Sequence, residues 1–506
     1  MSATSPPRPS VVSQALARDR LGVPSVIMFA LTAAAPLMVV GALVSTAWGW
    51  VGVTGFPLAF VIVAAVLALF CFGYVAMSRH VQNAGAFYSY ITQGLGRPLG
   101  VGAALVALLA YNMLQIGLYG AFGAFLQPFL VQKFNVDVPW WALALVLWLF
   151  VAVLGLLRVE VNSRVLMVLL AAELAVVTFF DFVFLSNPDG GSISFEPWTW
   201  GALAGPAFGA ALAVCMTAFV GFEAAPVFSE ESKRPGKTVA VATFLGLGVM
   251  VTFYAITSWA ASVSIGVDKT VQLSQETAAT GGPFFAVAGQ HAGEWIVDVG
   301  QVLLITSIVA AALSYHNTTA RYTFALGRER VLPSFFGRTR ARSGAPMAGS
   351  LAQTVVALVV IIAFAVFGWD PLLQMFFWLG TAGGTGILLL VAATSLAVIF
   401  YFARDARGEG VWSRLLAPIL ATIALGVVTY FVLDNFSALI GITPDTPPSW
   451  NTAVWAFPAA YGAMAIIGII WALILKVISP QDYESIGLGA KAVTVRTDPT
   501  PEYAEA

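Results

Sequence analysis

Twelve long apolar runs divide this chain from end to end. They cover about residues 24–49, 53–77, 99–130, 139–157, 164–186, 203–228, 238–265, 295–326, 347–368, 371–402, 414–440 and 452–476, with charged or Pro-, Gly- and Asn-rich interruptions between them. Crossing a hydrocarbon core takes roughly 20 apolar residues per helix, and inside lipid only helices and closed barrels satisfy their own backbone. The runs therefore predict an all-α polytopic membrane protein with twelve transmembrane helices. Composition agrees, since 59% of the 506 residues are hydrophobic and 10% charged, against about 25% charged in soluble proteins. A net charge of −1 with no basic block also excludes nucleic acid, which needs a clustered positive footprint.

Twelve is an even number, so both termini share one side. Of the 24 Lys and Arg residues, all but Lys133 and Lys269 fall on that side, Arg8, Arg18, Arg79, Arg97, Arg158, Lys233, Arg234, Arg404, Arg407, Lys476 and Arg496 among them. The positive-inside rule makes it the cytoplasmic side of the cell membrane. The first run is too long for a cleaved signal peptide. Residues 1–22 and 478–506, rich in Ser, Thr and Pro or Glu, read as flexible cytoplasmic tails. The stretch from Arg321 to Arg342 reads as the solvated loop that sets topology. Cys71, Cys215, His80, His291 and His316 are too scattered for a disulfide framework or a metal cluster, so neither metal nor cofactor is expected.

Two runs carry proline beside small residues near their middles: Thr32-Ala33-Ala34-Ala35-Pro36 in the first and Val220-Gly221-Phe222-Glu223-Ala224-Ala225-Pro226 in the sixth. Proline removes a backbone donor and crowds the preceding turn, and lipid cannot replace the lost partners. Either proline alone reads as a kink. At matching places five spans apart, they mark an inverted-repeat transporter with a midplane site. The organisation expected is a first repeat over 23–187, a second over 200–403, and two further helices over 413–477. With the N-terminus inside, the outer half of the first helix starts near Pro36 with free N–H groups suited to a carboxylate. The outer half of the sixth ends near Val220 with free carbonyls suited to an ammonium, and together they form a receptor for a zwitterion.

The chain resembles the amino acid/polyamine/organocation transporters. The likeness rests on Gly85-Ala86-Phe87-Tyr88-Ser89-Tyr90 followed by Gly94-Leu95-Gly96-Arg97, on Gly221-Phe222-Glu223 through Glu230-Glu231-Ser232-Lys233-Arg234-Pro235, and on Ala320-Arg321-Tyr322 through Gly327-Arg328-Glu329-Arg330-Val331-Leu332-Pro333. It implies the 5+5 inverted repeat of the leucine-transporter-type fold, with helices 1 and 6 broken and helices 11 and 12 peripheral or oligomeric. It also implies substrate bound largely by backbone at Ala33, Ala34, Ala35, Pro36 and Leu37 and at Phe219, Val220, Gly221 and Phe222. Members often carry a glycine-rich run at the first break, where this chain has three alanines.

Asn112, Gln115 and Tyr119 form one stripe of the third helix, either lining the substrate or bonding a neighbouring helix. Phe222 reads as an aromatic gate or as packing. Intramembrane carboxylates are usually functional, which makes Glu173 and Glu223 the candidates for proton coupling, with Asp181 nearer the outer end of the fifth helix. Setting Asn162-Ser163-Arg164-Val165 beside the family pattern places Glu173 where some sodium-independent members have a lysine. A sodium site would need hydroxyls in the eighth helix beside the first break. Alignment puts Val309 and Ala310 there, with Thr306 and Ser307 a turn away, so proton-coupled or uncoupled exchange is expected. His316 reads as a packing residue, and Gly380 to Gly386 as a place of close contact or bending. No H-E-x-x-H, G-x-S-x-G or G-x-x-x-x-G-K-[ST] motif is present, which speaks against an enzyme or an ATP-driven pump. The expectation is a permease moving an amino acid or related amine by alternating access. A polyamine or organic amine exchanger and a ligand-binding membrane sensor of the same fold are the alternatives.

Overall fold

The computed structural model describes residues 12–13, 16, 20–157, 159–277, 282–340, 344–442 and 446–492. Expectations attached to Arg8, Arg18, Arg158, Arg342 and Arg496, to most of the N-terminal tail and to residues 493–506 lie outside the described residues. Among those described, eleven helical segments are long and apolar enough to cross a bilayer. They are α1 (Val23–Val51), α2 (Phe56–Ser78), α3 (Arg97–Phe134), α5 (Ser163–Ser186), α6 (Phe208–Glu231), α7 (Pro235–Ile265), α8 (Glu294–Arg328), α9 (Met347–Phe367), α10 (Pro371–Arg404), α11 (Trp412–Asp434) and α12 (Pro448–Ile478). The segment expected as the fourth span is a shorter apolar helix, α4 (Trp140–Gly155), of 16 residues. At 1.5 Å per residue it measures about 24 Å, less than the roughly 30 Å of a hydrocarbon core.

Several helices begin with proline in the first turn, where its missing N–H costs nothing: Pro24, Pro57, Pro98, Pro235 and Pro371. Asp370 caps α10 by accepting from the amides of Leu372 and Leu373 at 2.9 and 2.5 Å. α3 runs through the middle against α8, α10 and α12, while α2 packs on α7. The outward faces are apolar: Val366 on α9, Ile423 on α11 and Val477 on α12 are 74%, 62% and 80% exposed, a surface for lipid rather than water. On the face opposite the basic one, Lys133 pairs with Asp298 and Lys269 with Asp189, each at 2.7 Å.

The expected solvated loop from Arg321 does not begin there. α8 continues to Arg328, and both Arg321 and Arg328 are buried. They tolerate burial because acids from α6 meet them: Arg321 Nε lies 2.5 Å from Glu231 Oε2 and Arg328 Nη2 lies 2.7 Å from Glu230 Oε1. Parts of the segments read as tails are also packed. Val12–Ser13 (β1) pairs antiparallel with Thr339–Arg340 (β2). After the short helix Pro480–Glu484, Ser485, Ile486 and Ala492 are buried.

Candidate functional site

α1 is regular from Val23 to Ala34, turns left-handed at Ala35 (φ 47°) and restarts at Pro36. α6 is regular from Phe208 to Ala218, turns at Gly221 (φ 117°) and continues as a tight helix from Phe222 to Glu231 around Pro226. The two breaks touch. A methyl placed on Gly221 would stand 2.7 Å from Cβ of Ala33 and 2.9 Å from the amide nitrogen of Ala34, so the approach requires glycine sterically as well as conformationally.

Side chains take up backbone groups that the breaks release. Tyr254 donates to the carbonyl of Ala34 at 3.2 Å, Tyr315 to that of Val220 at 3.2 Å and Tyr74 to that of Glu223 at 2.9 Å. The amide of Leu37 donates to Glu173 Oε1 at 2.5 Å and that of Gly221 to Glu223 Oε2 at 2.8 Å. Unwound backbone at membrane depth persists only with such partners.

Beside both breaks lies a cavity of about 80 Å³. Ala33, Ala34 and Met38 of α1 line it with Leu114 and Leu118 of α3, Thr217, Ala218 and Val220 of α6, Tyr315 of α8, and Phe376, Phe377, Gly380 and Thr381 of α10. Of the residues expected to bind substrate, Ala33, Ala34 and Val220 are on this wall. Ala35, Pro36 and Leu37 form the turn beside it, with the Leu37 amide engaged by Glu173. Phe219 packs against Phe60 and Tyr254, Gly221 is the point of contact, and Phe222 meets Phe70 edge-on.

Asn112, Gln115 and Tyr119 lie off the cavity wall. Asn112 Nδ2 donates to the carbonyl of Leu108 at 2.7 Å. Gln115 donates to Tyr119 at 2.8 Å, lies 3.2 Å from His316 Nδ1 and accepts from Gln353, while His316 Nε2 is 2.7 Å from Ser350 Oγ. This buried network joins α3, α8 and α9. The residues facing the cavity from α3 are the neighbours Leu114 and Leu118. Sequence reasoning missed Tyr315, Thr217 and Thr381. Tyr315 carried a signal, a polar run Ser314-Tyr315-His316-Asn317 inside an apolar helix.

Glu173 is buried behind the first break and accepts from both Leu37 and, at 2.9 Å, the hydroxyl of Ser307, so it joins α5, α1 and α8. Ser307, about a turn from the Val309 and Ala310 of the sequence alignment, thus reaches the first break through Glu173, while Ser314 donates directly to the Phe29 carbonyl of α1 at 2.6 Å. Glu223 braces the second break, accepting from Tyr111 at 3.0 Å as well as from its own turn. Asp181 accepts from Thr257 at 3.1 Å.

The three motifs behind the family resemblance converge on the basic face. Besides the Glu230 and Glu231 pairs, Phe87 N–H donates to Tyr322 at 3.1 Å and Ala84 N–H to Glu230 at 3.0 Å. Glu329, just past the end of α8, accepts from Asn83 at 2.6 Å, Tyr88 at 2.5 Å, and the amides of Gly487 and Gly489 at 2.5 and 2.8 Å. Burial pushes its carboxyl above the ordinary range, against the opposing pull of Arg328, Tyr88 and the Gly487 amide.

Comparison with known proteins places this geometry in context. A family model described as amino acid permease matches residues 21–475. The chain is 24% identical to a methylthioribose transporter of Bacillus subtilis over 74% of its own length and 79% of that protein's. It is 24% identical to a branched-chain amino acid permease of the same organism over 58% and 64% of the two chains. It is 26% identical to a cadaverine/lysine antiporter of Escherichia coli over 43% and 46%.

Proposed function

The chain belongs to the amino acid permease family, a multi-pass membrane protein whose named relatives are transporters, and from that premise we propose that it carries an amino acid across the cell membrane by alternating access. The observation that carries this reading is the contact of two broken helices at Gly221 beside a cavity bordered by both. The restart of α1 at Pro36 brings the positive end of a helix dipole, suited to a carboxylate, and the end of the regular part of α6 near Val220 brings carbonyls suited to an ammonium. The hydroxyl of Tyr315 donates to the Val220 carbonyl from the cavity wall, and an incoming ammonium shares or replaces that bond. The repeats over 23–187 and 200–403 move around this site, opening it alternately to the two faces, with the basic face in the cytoplasm.

Glu173 is the proposed proton carrier. Its carboxylate holds the first amide of the restarted helix and the hydroxyl of α8. Protonation removes the negative charge from that junction, which ties proton uptake to the geometry of the break. Proton-coupled or uncoupled exchange follows, in preference to sodium coupling. Uptake of labelled amino acids into proteoliposomes, with and without an imposed pH gradient, tests both parts. Wild-type protein is expected to accumulate substrate against its own concentration gradient when the pH gradient is imposed. Glu173→Gln is expected to retain exchange of internal for external substrate while losing gradient-driven accumulation, and intact accumulation in that variant would remove Glu173 from the proton path.

A further inference from the structure

Building on the permease reading, we infer that the cavity selects amino acids with uncharged, apolar side chains and rejects lysine, arginine and diamines. The wall away from the two breaks is Leu114 and Leu118 of α3 with Phe376 and Phe377 of α10, and among the described residues no charged side chain borders the space. Leu114 and Leu118 are four residues apart and so present one continuous face. Three hydroxyls border the cavity, and all donate elsewhere: Thr217 to the carbonyl of Ala213 at 3.1 Å, Tyr315 to that of Val220 at 3.2 Å and Thr381 to that of Leu439 at 3.4 Å. They can accept a hydrogen bond but cannot neutralise a charge.

The buried carboxylates of the surrounding helices are committed to other partners. Glu173 is behind the first break on Leu37 and Ser307, Glu223 is held by Tyr111 and the Gly221 amide, and Glu231 faces Arg321, while the half-buried Asp181 accepts from Thr257 through one oxygen and lies off the cavity wall. A second ammonium at the far end of a bound substrate would be desolvated with no counter-charge, which is the most expensive way to bury a cation. A branched or thioether side chain would instead replace water against leucine and phenylalanine. Specificity comes from the absence of an acid at Leu114, Leu118 and Thr381, while the backbone of the breaks recognises what all amino acids share.

The test uses full-length protein in proteoliposomes, with labelled leucine and labelled lysine as separate probes. Unlabelled leucine, valine and methionine should compete at concentrations about a hundredfold lower than lysine, arginine or cadaverine, the discrimination expected for an unpaired cation at membrane depth. Lysine or cadaverine competing as well as leucine would overturn the inferred class and leave the permease reading standing. Uptake of neither labelled probe would overturn the permease reading and the class with it. Leu118→Glu, and separately Thr381→Asp on α10, each bring a carboxylate to the wall and should narrow the ratio in favour of lysine. An unchanged ratio in both variants, each eluting as wild type on size exclusion, would show that these walls do not set selectivity.

Discussion

Gly221 is the residue on which the arrangement of the two breaks turns most directly. Its φ of 117° and the 2.7 Å approach to Ala33 leave an added methyl both strained and crowded. Gly221→Ala should lower stability by at least about 1–3 kcal/mol, the cost of a side chain held in such a backbone region, read as a drop in melting temperature. Because Ala33 and Ala34 are on the cavity wall, the same change should also impair transport. Glu329 offers a pH-dependent counterpart outside the membrane spans. Its folded carboxyl holds a proton more tightly than an unfolded glutamate does, so above the ordinary value of about 4.3 the folded state binds more protons than the unfolded one. Its contribution to stability is therefore present below that pH and declines as pH rises through the raised folded value. In Glu329→Gln, which does not titrate, melting temperature should fall less steeply across that window. An unchanged pH profile would mean that Glu329 does not titrate there.

Among the elements, α6 and α8 are joined where Arg321 meets Glu231, both side chains buried. Arg321 also donates to the carbonyl of Asn317 at 2.9 Å and lies 4.6 Å over the ring of Phe228. Glu231→Ala leaves the guanidinium buried without its acid and should cost about 3–5 kcal/mol, measured by thermal unfolding in detergent. Methionine at both positions should recover much of that loss, since a buried pair is rarely better than an apolar replacement. The sequence could not show this pairing, because the two residues are 90 positions apart and a run of arginines near a span end reads first as topology. The breaks were legible for the opposite reason: Pro36 and Pro226 act locally, and lipid leaves broken backbone few places to go. Facing was the harder quantity. Gln115 and Tyr119 share a stripe with the spacing of a lining face, but the neighbouring stripe of Leu114 and Leu118, one position around the helix, meets the cavity. Periodicity identifies a face without saying which neighbour it meets.

For the whole molecule, the charge asymmetry makes a statement about orientation that the chain's own cysteines help to test. Cys71 and Cys215 are free and fully buried, so a membrane-impermeant maleimide should find little background in the wild-type protein. Ser192, between α5 and α6, and Gly410, between α10 and α11, are exposed and lie on opposite faces if the basic side is cytoplasmic. Ser192→Cys should then label in intact cells, whereas Gly410→Cys should label only after the membrane is opened. The reverse pattern would invert the molecule and with it the face to which Arg79, Arg97 and Arg404 belong. Ser192 paired with Arg79 probes the helix count, because α4 lies between them and is shorter than a usual span. If α4 failed to cross, Arg79 between α2 and α3 and Ser192 after α5, both exposed, would lie on one side, and cysteines at the two would label together. Opposite labelling, with Ser192 reached from outside, is the outcome expected if α4 crosses as a thin, buried-sided span, with Lys133 and Lys269 remaining on the outer face beside Asp298 and Asp189.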